Sequence, residues 1–463
     1  MGEYMQLSRF VTIYKTGSDY AYYHSLRMKP VYLTAYEHEE LQKALKVHQT
    51  PNISEETINN LLDFFIVVNN EKDDAQTLER VKRYIPKPYI SIAYFILTEQ
   101  CNLACKYCFL GNGIQKNSMQ PVVRKKMSKE VAEQAVKYFA RQTHYNEEHF
   151  SDRKEIIFYG GEPLLNFEVL KHTVETCQKC QKENLLTHNL DFSIVTNGIL
   201  LTDEIINYFI ENNIAVSISI DGADEFSNMN RVDKLGKPIF NKLVEKIGSA
   251  RSKGLEIGLS ITLTEALLNN TDTLVDFLLH YDIHNVSFNI LMKTDGFEIN
   301  PDYFERATAF ILNFYEETKQ LGIYEDRFNR KLTSFINSQV YFSDCAATSG
   351  SQIVITPSGN IGICHGCTGD GNYIIGNIYD SQIIQKNKEV VQWSQITPIN
   401  HESCLTCEAL GICGGGCPVN AIKGRDSNLY EAIDDTFCIH AKETLKYLIN
   451  KLHDYIVQEQ SCV

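Results

Sequence analysis

Three cysteines within eight residues are the densest chemical feature of this sequence. Cys101, Cys105 and Cys108 follow an apolar run at residues 90–97, which predicts a β-strand. Thiolates at this spacing are suited to hold three corners of a cubane iron–sulfur cluster. The fourth iron then has no protein ligand and stays open for a small molecule. Zinc is the alternative, but a structural zinc site takes four protein ligands, usually as two pairs.

The overall cysteine content favours metal binding over disulfides. The chain has 14 cysteines in 463 residues, and its start lacks a basic flank followed by an apolar run, so no secretory signal is predicted. In the reducing cytoplasm, clustered thiols are more often metal ligands than disulfides. We therefore expect a cytoplasmic metalloprotein. Cys177 and Cys180 fit the simpler role of buried core residues.

A second group of candidate residues lies at the ends of the next predicted strands. Two glycines there would let backbone carbonyls approach a ligand, and the following Glu162 is suited to accept from a cationic amine. Taken singly, each motif has a simpler interpretation as a turn or a capped strand end. Their order after the cysteine triplet is what indicates a site. The group consists of Gly160, Gly161, Glu162, Pro163, Asn197, Ser219, Asp221 and Arg231.

These motifs resemble the radical S-adenosylmethionine (SAM) enzymes over about residues 89–321, with the cysteine triplet as the CX3CX2C signature. The resemblance implies that SAM chelates the open iron of a [4Fe–4S] cluster and is cleaved to a 5'-deoxyadenosyl radical that abstracts a hydrogen atom. Tyr107 resembles the family's aromatic residue near the adenine. The GGEP motif around Glu162 resembles its site for the methionine amino group, and Arg231 its clamp on the carboxylate. Asn197, Ser219 and Asp221 are expected to contribute to the same cofactor site.

A second set of cysteines fills residues 344–440. Its spacing resembles the SPASM extension of radical enzymes that modify peptides. The resemblance implies two auxiliary clusters, which brings the expected total to three [4Fe–4S] clusters. By position, the distal cluster takes Cys404, Cys407, Cys413 and Cys438, and the proximal cluster takes Cys345, Cys364 and Cys417.

The proximal set departs from the pattern of sulfatase maturases, which have a further ligand a few residues before the position of Cys345. Residues 340–344 contain no cysteine. Either Cys367 supplies the fourth ligand, or an iron stays open for a substrate cysteine, as in thioether-forming maturases. Those enzymes often have a histidine where His365 stands, whereas sulfatase maturases have an aspartate there. His365 is either a catalytic base or a cap for a loop.

The predicted elements give an α/β fold. Short apolar runs alternate with amphipathic helices from residue 89 onward, which indicates βα units and a parallel sheet. Six such units predict a partial (β/α)6 TIM-type barrel, with its chemistry at the carboxyl ends of the strands. The strands are predicted at residues 90–97, 155–159, 191–196, 215–220, 256–263 and 285–291.

The first 86 residues are predicted to form a separate winged-helix-like module, with strands at 10–15 and 19–27 and helices at 36–47, 55–67 and 74–84. It resembles the element that captures leader peptides in ribosomal peptide biosynthesis, and such a module is able to bind an extended leader as an added strand. The alternative is an extension without this role. The predicted domains are this module (1–86), the radical SAM barrel (89–321), a bridging region (322–343), the SPASM domain (344–440) and a C-terminal helix (441–463).

Charge and hydropathy limit the partners. A net charge of −14 disfavours nonspecific nucleic-acid binding, and the longest apolar runs are too short to cross a membrane.

Our leading hypothesis is a peptide maturase that installs a cross-link, first of all a cysteine thioether, in a ribosomally made precursor peptide with a leader sequence. A carbon–carbon or carbon–oxygen cross-link is the runner-up. A sulfatase-maturase-like protein oxidase and a non-catalytic iron–sulfur electron carrier are also candidates. A reductase such as flavodoxin or ferredoxin is the expected electron donor.

Overall fold

The computed structural model describes residues 5–47, 49–108, 124–145, 147–269, 273–292, 299–367, 371–423 and 428–461. The chain divides into two compact units. The first unit comprises Met1–Pro86, Phe328–Thr348 and Gln395–Val463. The second unit comprises Lys87–Arg327 and Ser349–Ser394.

The strands and helices of the described chain follow the hydrophobic pattern, and several helices begin at a capping side chain. Ser128 Oγ, for example, accepts from the Val131 backbone N–H. The strands are β1 Gln6–Leu7, β2 Val11–Thr16, β3 Asp19–His24, β4 Lys29–Leu33, β5 Val67–Val68, β6 Ile92–Thr98, β7 Lys154–Gly160, β8 Leu190–Thr196, β9 Ile214–Ile220, β10 Ile257–Leu263, β11 Asn285–Ile290, β12 Tyr324–Glu325, β13 Gln352–Ile355, β14 Asn360–Gly362 and β15 Ile374–Asn377. The α-helices are α1 Ala35–Val47, α2 Glu55–Asp63, α3 Glu71–Lys82, α4 Lys129–His144, α5 Phe167–Lys182, α6 Asp203–Glu211, α7 Phe240–Ser252, α8 Glu265–Leu268, α9 Leu274–His280, α10 Tyr303–Thr318, α11 Asp326–Asn337, α12 Lys388–Trp393, α13 Leu410–Cys413, α14 Pro418–Ile422 and α15 Asp435–Ser461.

The second unit is built on one ten-stranded sheet with the order β12-β11-β10-β9-β8-β7-β6-β13-β14-β15. The strands run parallel from β12 to β13, and β14 and β15 continue the sheet antiparallel. The predicted α/β fold with a mostly parallel central sheet is confirmed. All six predicted strands are present, with ends displaced by at most two residues.

Buried and less buried residues alternate along the strands, so the two faces of the sheet have different surroundings. In β7, β9 and β10 buried residues alternate with half-buried ones, because successive side chains point to opposite faces. The buried face packs under helices, where the Phe158 and Phe192 rings stack at 6.1 Å and Phe139 of α4 is fully buried. The half-buried residues therefore line the opposite face, beside the strand ends that carry the candidate residues.

The first unit contains a three-stranded antiparallel sheet, β2-β3-β4, with helices α1 to α3 nearby in the sequence. Its core gathers Tyr22, Leu33, Leu41 and Leu61, all nearly inaccessible to solvent. Three predicted boundaries here are wrong, and the first is the start of the helix predicted at 74–84, which begins at Glu71. The strand predicted at 19–27 ends at His24, and β4 is an additional strand after a turn with Met28 at positive φ. The helix predicted at 55–67 ends at Asp63.

Helix α2 ends before the predicted residue 67 because backbone conformation and hydrogen bonding terminate it after Asp63. The Phe64 N–H donates to Asn60 O, and Phe65 then takes a left-handed φ of 59°, from which the chain enters β5. The winged-helix interpretation of this module stays a prediction. Among the helices of the described ranges, none has the length and apolar character that crossing a membrane requires.

Candidate active site at the carboxyl ends of the parallel strands

The cysteine triplet lies on the loop that leaves the carboxyl end of β6. A second stretch of chain, residues 230–233, holds this loop through its backbone. Ala104 N–H donates to Val232 O at 2.8 Å, and Lys106 N–H donates to Asn230 O at 3.0 Å. These bonds fix the loop at the strand ends, where parallel sheets place their active sites.

Polar hydrogens point at the first of the three sulfurs. Cys101 Sγ accepts from the Leu103 N–H at 3.4 Å and lies 3.9 Å from Asn197 Nδ2. Burial raises the pKa of the Cys101 thiol to about 11, and the nearby Glu162 carboxylate adds to that rise. At neutral pH this sulfur becomes a thiolate only when a cation such as iron replaces its proton.

The donor set fits an iron–sulfur cluster. Three thiols on one loop, with N–H groups directed at a sulfur, are the ligands and hydrogen bonds that such clusters use. Within the described ranges, no three His, Cys, Asp or Glu side chains converge on the position of a single metal ion. A cubane binds each thiolate through a different iron, so its ligands stand further apart than those of one ion.

The two glycines after β7 are required by the approach of the cysteine loop. Gly161 N–H donates to Thr98 O at 2.8 Å. A Cβ atom on Gly160, which has a φ of 140°, would lie 2.3 Å from Thr98 O, and one on Gly161 would lie 2.2 Å from Gln100 O. Sequence reasoning predicted that these glycines admit a ligand. The structure adds that they admit the backbone that leads to Cys101.

Glu162 is a buried carboxylate held by neutral donors. Thr196 Oγ1 donates to it at 2.7 Å, the Asn197 N–H at 2.8 Å and the Leu164 N–H at 3.1 Å. Burial raises the pKa of Glu162, and these hydrogen bonds oppose the rise. A buried carboxylate held in this way is suited to bind a cationic group such as an ammonium.

Tyr107, Asp221 and Arg231 form a buried polar triad. The Tyr107 hydroxyl donates to Asp221 Oδ1 at 2.5 Å, and Arg231 Nη1 donates to the Tyr107 oxygen at 2.9 Å. Burial raises the pKa of Asp221 to about 6, although Arg231 opposes the rise. Asp221 Oδ2 and Arg231 Nε are buried and have no hydrogen-bond partner within the described residues. The triad therefore has spare acceptor and donor capacity, which a polar ligand would use.

The remaining predicted residues lie on the same side of the sheet. Asn197 Nδ2 donates to Asn102 Oδ1 at 2.8 Å, which ties the end of β8 to the cysteine loop. Ser219 of β9 is half-buried and pairs in register with Ser260 of β10. Pro163 is buried and begins the short 3-10 turn after β7.

Sequence reasoning missed three polar residues that position the site. Thr196 and Asn102 bind the side chains of Glu162 and Asn197, as described above. Asn228 Oδ1 accepts from the Asp221 N–H at 2.9 Å, and its Nδ2 donates to Gly222 O at the same distance. Their only signal in the sequence is proximity to a strand end or to the cysteine motif.

His365 lies among aromatic rings in the second unit. Its ring stacks on Tyr94 at 4.8 Å and meets Tyr159 edge-on at 5.0 Å. Burial lowers the pKa of His365 to about 4, so its imidazole is neutral at pH 7. The Cys367 N–H donates to Cys364 O at 3.0 Å, so the two residues lie on one turn. A hydrogen bond with Cys367, together with burial, raises the pKa of Cys364.

The predicted distal ligands lie together in the first unit. Burial raises the pKa of Cys438 to about 12, and the charges of three neighbouring thiols add to the rise. Those neighbours are Cys404, Cys407 and Cys413. Gly415 N–H also points at Cys413 Sγ, at 3.4 Å.

The predicted proximal ligands divide between the units. Cys345 and Cys417 belong to the first unit, and Cys364 and Cys367 to the second. Cys345 Sγ accepts from the Ala347 N–H at 3.4 Å, and the Cys417 N–H donates to Asp434 at 3.2 Å. The proximal ligand set stays a prediction.

Comparison with known proteins places the central part of the chain among characterised sequences. Residues 95–279 match the model of the Radical SAM superfamily. The chain is 24% identical to the radical SAM cyclopropyl synthase TigE of Paramaledivibacter caminithermalis, over 84% of this chain and 80% of that protein. It is 26% identical to a serine-type anaerobic sulfatase-maturating enzyme of Bacteroides thetaiotaomicron, over 69% of this chain and 80% of that enzyme.

Two solved structures share the fold. Native anSMEcpe with bound AdoMet and the Cp18Cys peptide matches with a TM-score of 0.65 and 21% identity, covering 80% of this chain and 99% of that one. Streptococcus suis SuiB bound to the precursor peptide SuiA matches with a TM-score of 0.54 and 15% identity, covering 93% of this chain and 99% of SuiB.

Proposed function

Because the chain contains a radical SAM domain, we propose that it is a peptide maturase that installs a cysteine thioether in a ribosomally made precursor peptide. The observation that carries the proposal is the pairing of the cysteine loop with two buried polar networks, one around Glu162 and one around Asp221 and Arg231. A simple electron carrier needs an iron–sulfur cluster but no polar pocket beside it.

The chain's own residues have distinct tasks in this proposal. Cys101, Cys105 and Cys108 would hold the [4Fe–4S] cluster, Glu162 would bind the amino group of SAM, and Arg231 its carboxylate. When bound, the cluster and SAM supply a 5'-deoxyadenosyl radical that removes a hydrogen atom from the substrate. The opposite charges of Glu162 and Arg231 suit the two charged ends of an amino acid and would orient it.

A peptide substrate is supported by the extent of the structural matches. The match to SuiB, which was solved with a precursor peptide, covers 93% of this chain, whereas the match to anSMEcpe covers 80%. The first 86 residues, about a fifth of the chain, are of the size that anSMEcpe leaves unmatched. We assign these residues to leader binding, with β2 and β4 as the edge strands of their sheet.

The thioether is our first choice of cross-link because of the residues around Cys364. Two arrangements complete the proximal auxiliary cluster in this proposal. Either Cys367, beside Cys364, supplies a fourth thiolate, or an iron without a fourth protein ligand binds the substrate cysteine. Both arrangements are compatible with two auxiliary [4Fe–4S] clusters in this chain. His365, whose imidazole is neutral at pH 7, would accept the thiol proton. A carbon–carbon bond is the second candidate, because the relative TigE is a cyclopropyl synthase. A sulfatase-maturase-like oxidation is the third, supported by the relative from Bacteroides.

Two measurements test the proposal. The reconstituted and reduced protein should release 5'-deoxyadenosine from SAM, and a variant with Cys101, Cys105 and Cys108 all replaced by alanine should not. No release by the wild-type protein would favour the electron carrier. The short reading frame next to the gene should encode a cysteine-containing peptide, which is then co-expressed for mass spectrometry.

The chemistry of the product separates the candidates. A thioether removes one hydrogen pair and also one thiol, so the product should take up one iodoacetamide fewer than the unmodified peptide. A carbon–carbon bond removes the hydrogen pair but leaves every thiol open to alkylation. An aldehyde formed by oxidation would react with a hydrazide. Full alkylation of a modified peptide would contradict the thioether.

A further inference from the structure

Residues 232–238 form an exposed turn of the second unit, and hydrogen bonds of Asp233 hold this turn. Asp233 Oδ1 accepts from the N–H groups of Leu235 and Lys237 at 2.8 and 2.9 Å, and the Asp233 N–H donates to Lys237 O at 3.0 Å. Leu235, at the tip, is 80% exposed. A single exposed leucine is ordinary on a protein surface, so its neighbours decide whether it belongs to a larger apolar patch.

The same stretch of chain is bonded to the cysteine loop. Leu103, between the first two cysteines, forms a β-bridge with Asp233, and the Ala104 N–H donates to Val232 O. Within this stretch, Arg231 belongs to the buried triad, whereas Leu235 is exposed to solvent. A partner bound to the turn would therefore stand directly outside the cysteine loop.

Other exposed apolar side chains extend the surface around Leu235. Phe226 is 55% exposed and Met229 is 44% exposed, and both border a shallow hollow of about 510 Å³. Lys106 and Pro238 also line that hollow. Exposed aromatic and methionine side chains are typical of the centre of a protein–protein interface.

The charges at this surface differ in sign from those of the whole chain. Three lysines are fully exposed here, Lys106, Lys234 and Lys237, against one fully exposed acid, Glu225. Asp224 and Asp233 are half-buried and accept hydrogen bonds within the loop. The fully exposed charges of this surface are thus mainly basic, on a chain with a net charge of −14. Such a basic rim around an apolar centre favours an acidic partner and accelerates its association.

We propose that this docking surface, formed by Lys106, Phe226, Met229, Lys234, Leu235 and Lys237, binds an acidic one-electron carrier protein. The proposal rests on the proposed function, which needs an electron at the cluster. The carrier is oxidised by one electron and the cluster held by Cys101, Cys105 and Cys108 is reduced by one, with no bond made or broken. The precursor peptide is the competing occupant, and the test separates the two.

The test uses the reconstituted full-length protein and a reduced, acidic flavodoxin as the probe. K234E/K237E should raise the flavodoxin Kd at low salt at least about tenfold, with the difference shrinking as salt is added. The control K129E/K179E makes the same charge change at exposed lysines of α4 and α5 and should leave the Kd unchanged. L235A should weaken binding, whereas L185A, at a leucine that is 48% exposed elsewhere in the second unit, should not.

Two reductants separate docking from catalysis. With flavodoxin as reductant, K234E/K237E should release 5'-deoxyadenosine several-fold more slowly, and with dithionite at the wild-type rate. Equal flavodoxin Kd values for K234E/K237E and K129E/K179E would overturn the proposal. A loss of peptide modification with dithionite would also overturn it, in favour of peptide docking. If the wild-type protein cleaves no SAM even with dithionite, the proposed function fails, while the binding comparison still decides the docking surface.

Discussion

The Tyr107 hydroxyl donates to Asp221 Oδ1 across 114 residues of sequence, at 2.5 Å. Tyr107 lies inside the cysteine motif, whereas Asp221 directly follows β9. Arg231 Nη1 bonds to the same tyrosine oxygen and lies 3.5 Å from the carboxylate. The cysteine loop is thus joined by side chains, as well as by backbone, to the residues expected to hold the cofactor.

Replacing Asp221 by asparagine should strongly destabilise the protein. Arg231 would then be a buried cation without its carboxylate, and breaking a buried ion pair typically costs about 3–5 kcal/mol. Urea unfolding measures the loss. The double variant D221N/R231M should recover part of the stability, because it removes the cation as well. If D221N alone unfolds like the wild type, the pair does not balance charge as we describe.

Replacing Gly161 by alanine should prevent assembly of the cluster. The new Cβ would lie 2.2 Å from Gln100 O, so the backbone that leads to Cys101 must move. Iron and labile-sulfide content after reconstitution should fall by the content of one cluster, which is a third of the total when all three expected clusters assemble in the wild type. The matched control is G248A in α7, where the nearest atom to a Cβ is 3.5 Å away. An alanine there should stabilise the helix by about 0.5–1 kcal/mol. Full iron content in G161A would contradict the packing argument.

His24 should make stability depend on pH. Its Nδ1 accepts from the N–H groups of Leu26 and Arg27, and its Nε2 lies 3.4 Å from Ser8 Oγ. Burial, aided by Arg27, lowers the pKa of His24 to about 3. The unfolded chain therefore binds a proton below pH ~6.5 that the folded chain does not bind. Stability is fully present above that pH and is lost as the pH falls towards 3.

The loss from His24 should be about 1.6 kcal/mol between pH 6.5 and 5, since one proton contributes up to ~1.4 kcal/mol per pH unit and the unfolded histidine is only half protonated at pH 6.5. Urea midpoints measured over this range should fall more steeply for the wild type than for H24Q. The control is H280Q, at an exposed histidine. Parallel curves for the wild type and H24Q would show that His24 takes up its proton without unfolding.

Replacing Asn197 by alanine should make the cluster harder to reduce. The side-chain N–H of Asn197 points at Cys101 Sγ, and such donors raise the reduction potential of iron–sulfur clusters. Losing about 1 kcal/mol of this interaction shifts a one-electron potential by ~40 mV to a more negative value. A redox titration followed by electron paramagnetic resonance measures it. N289A on β11 is the control, and an unchanged potential in N197A would exclude the hydrogen bond to sulfur.

The central strands were predictable because each is an apolar run between turn residues, as for β9, which ends at Ile220 directly before Asp221. β13 was not, because Gln352–Ile355 is short and becomes a strand only by pairing with β6. β4 contains Pro30, which usually marks a break, yet at the edge of the sheet a proline is tolerated. Local sequence does not encode such tertiary pairings.

The candidate site also contains some residues that were predictable from the sequence and others that were not. The cysteines and Glu162 stand out because their residue types and spacing are rare outside ligand sites. Thr196, Asn102 and Asn228 are common residue types whose roles depend on contacts with distant parts of the chain. The ligand sets of the auxiliary clusters and the role of His365 remain predictions.

The position of β6 within the sheet has a consequence for how the cluster is lost and restored. This strand pairs with β7 on one side and β13 on the other, so its amides are bonded in two ladders that need no metal. Damage by oxygen, which strips iron from such clusters, should leave this strand in place and the vacated thiols near their working positions. Oxidative inactivation should then remove iron and sulfide without unfolding the chain, and iron and sulfide supplied afterwards with a thiol reductant should restore the protein without refolding.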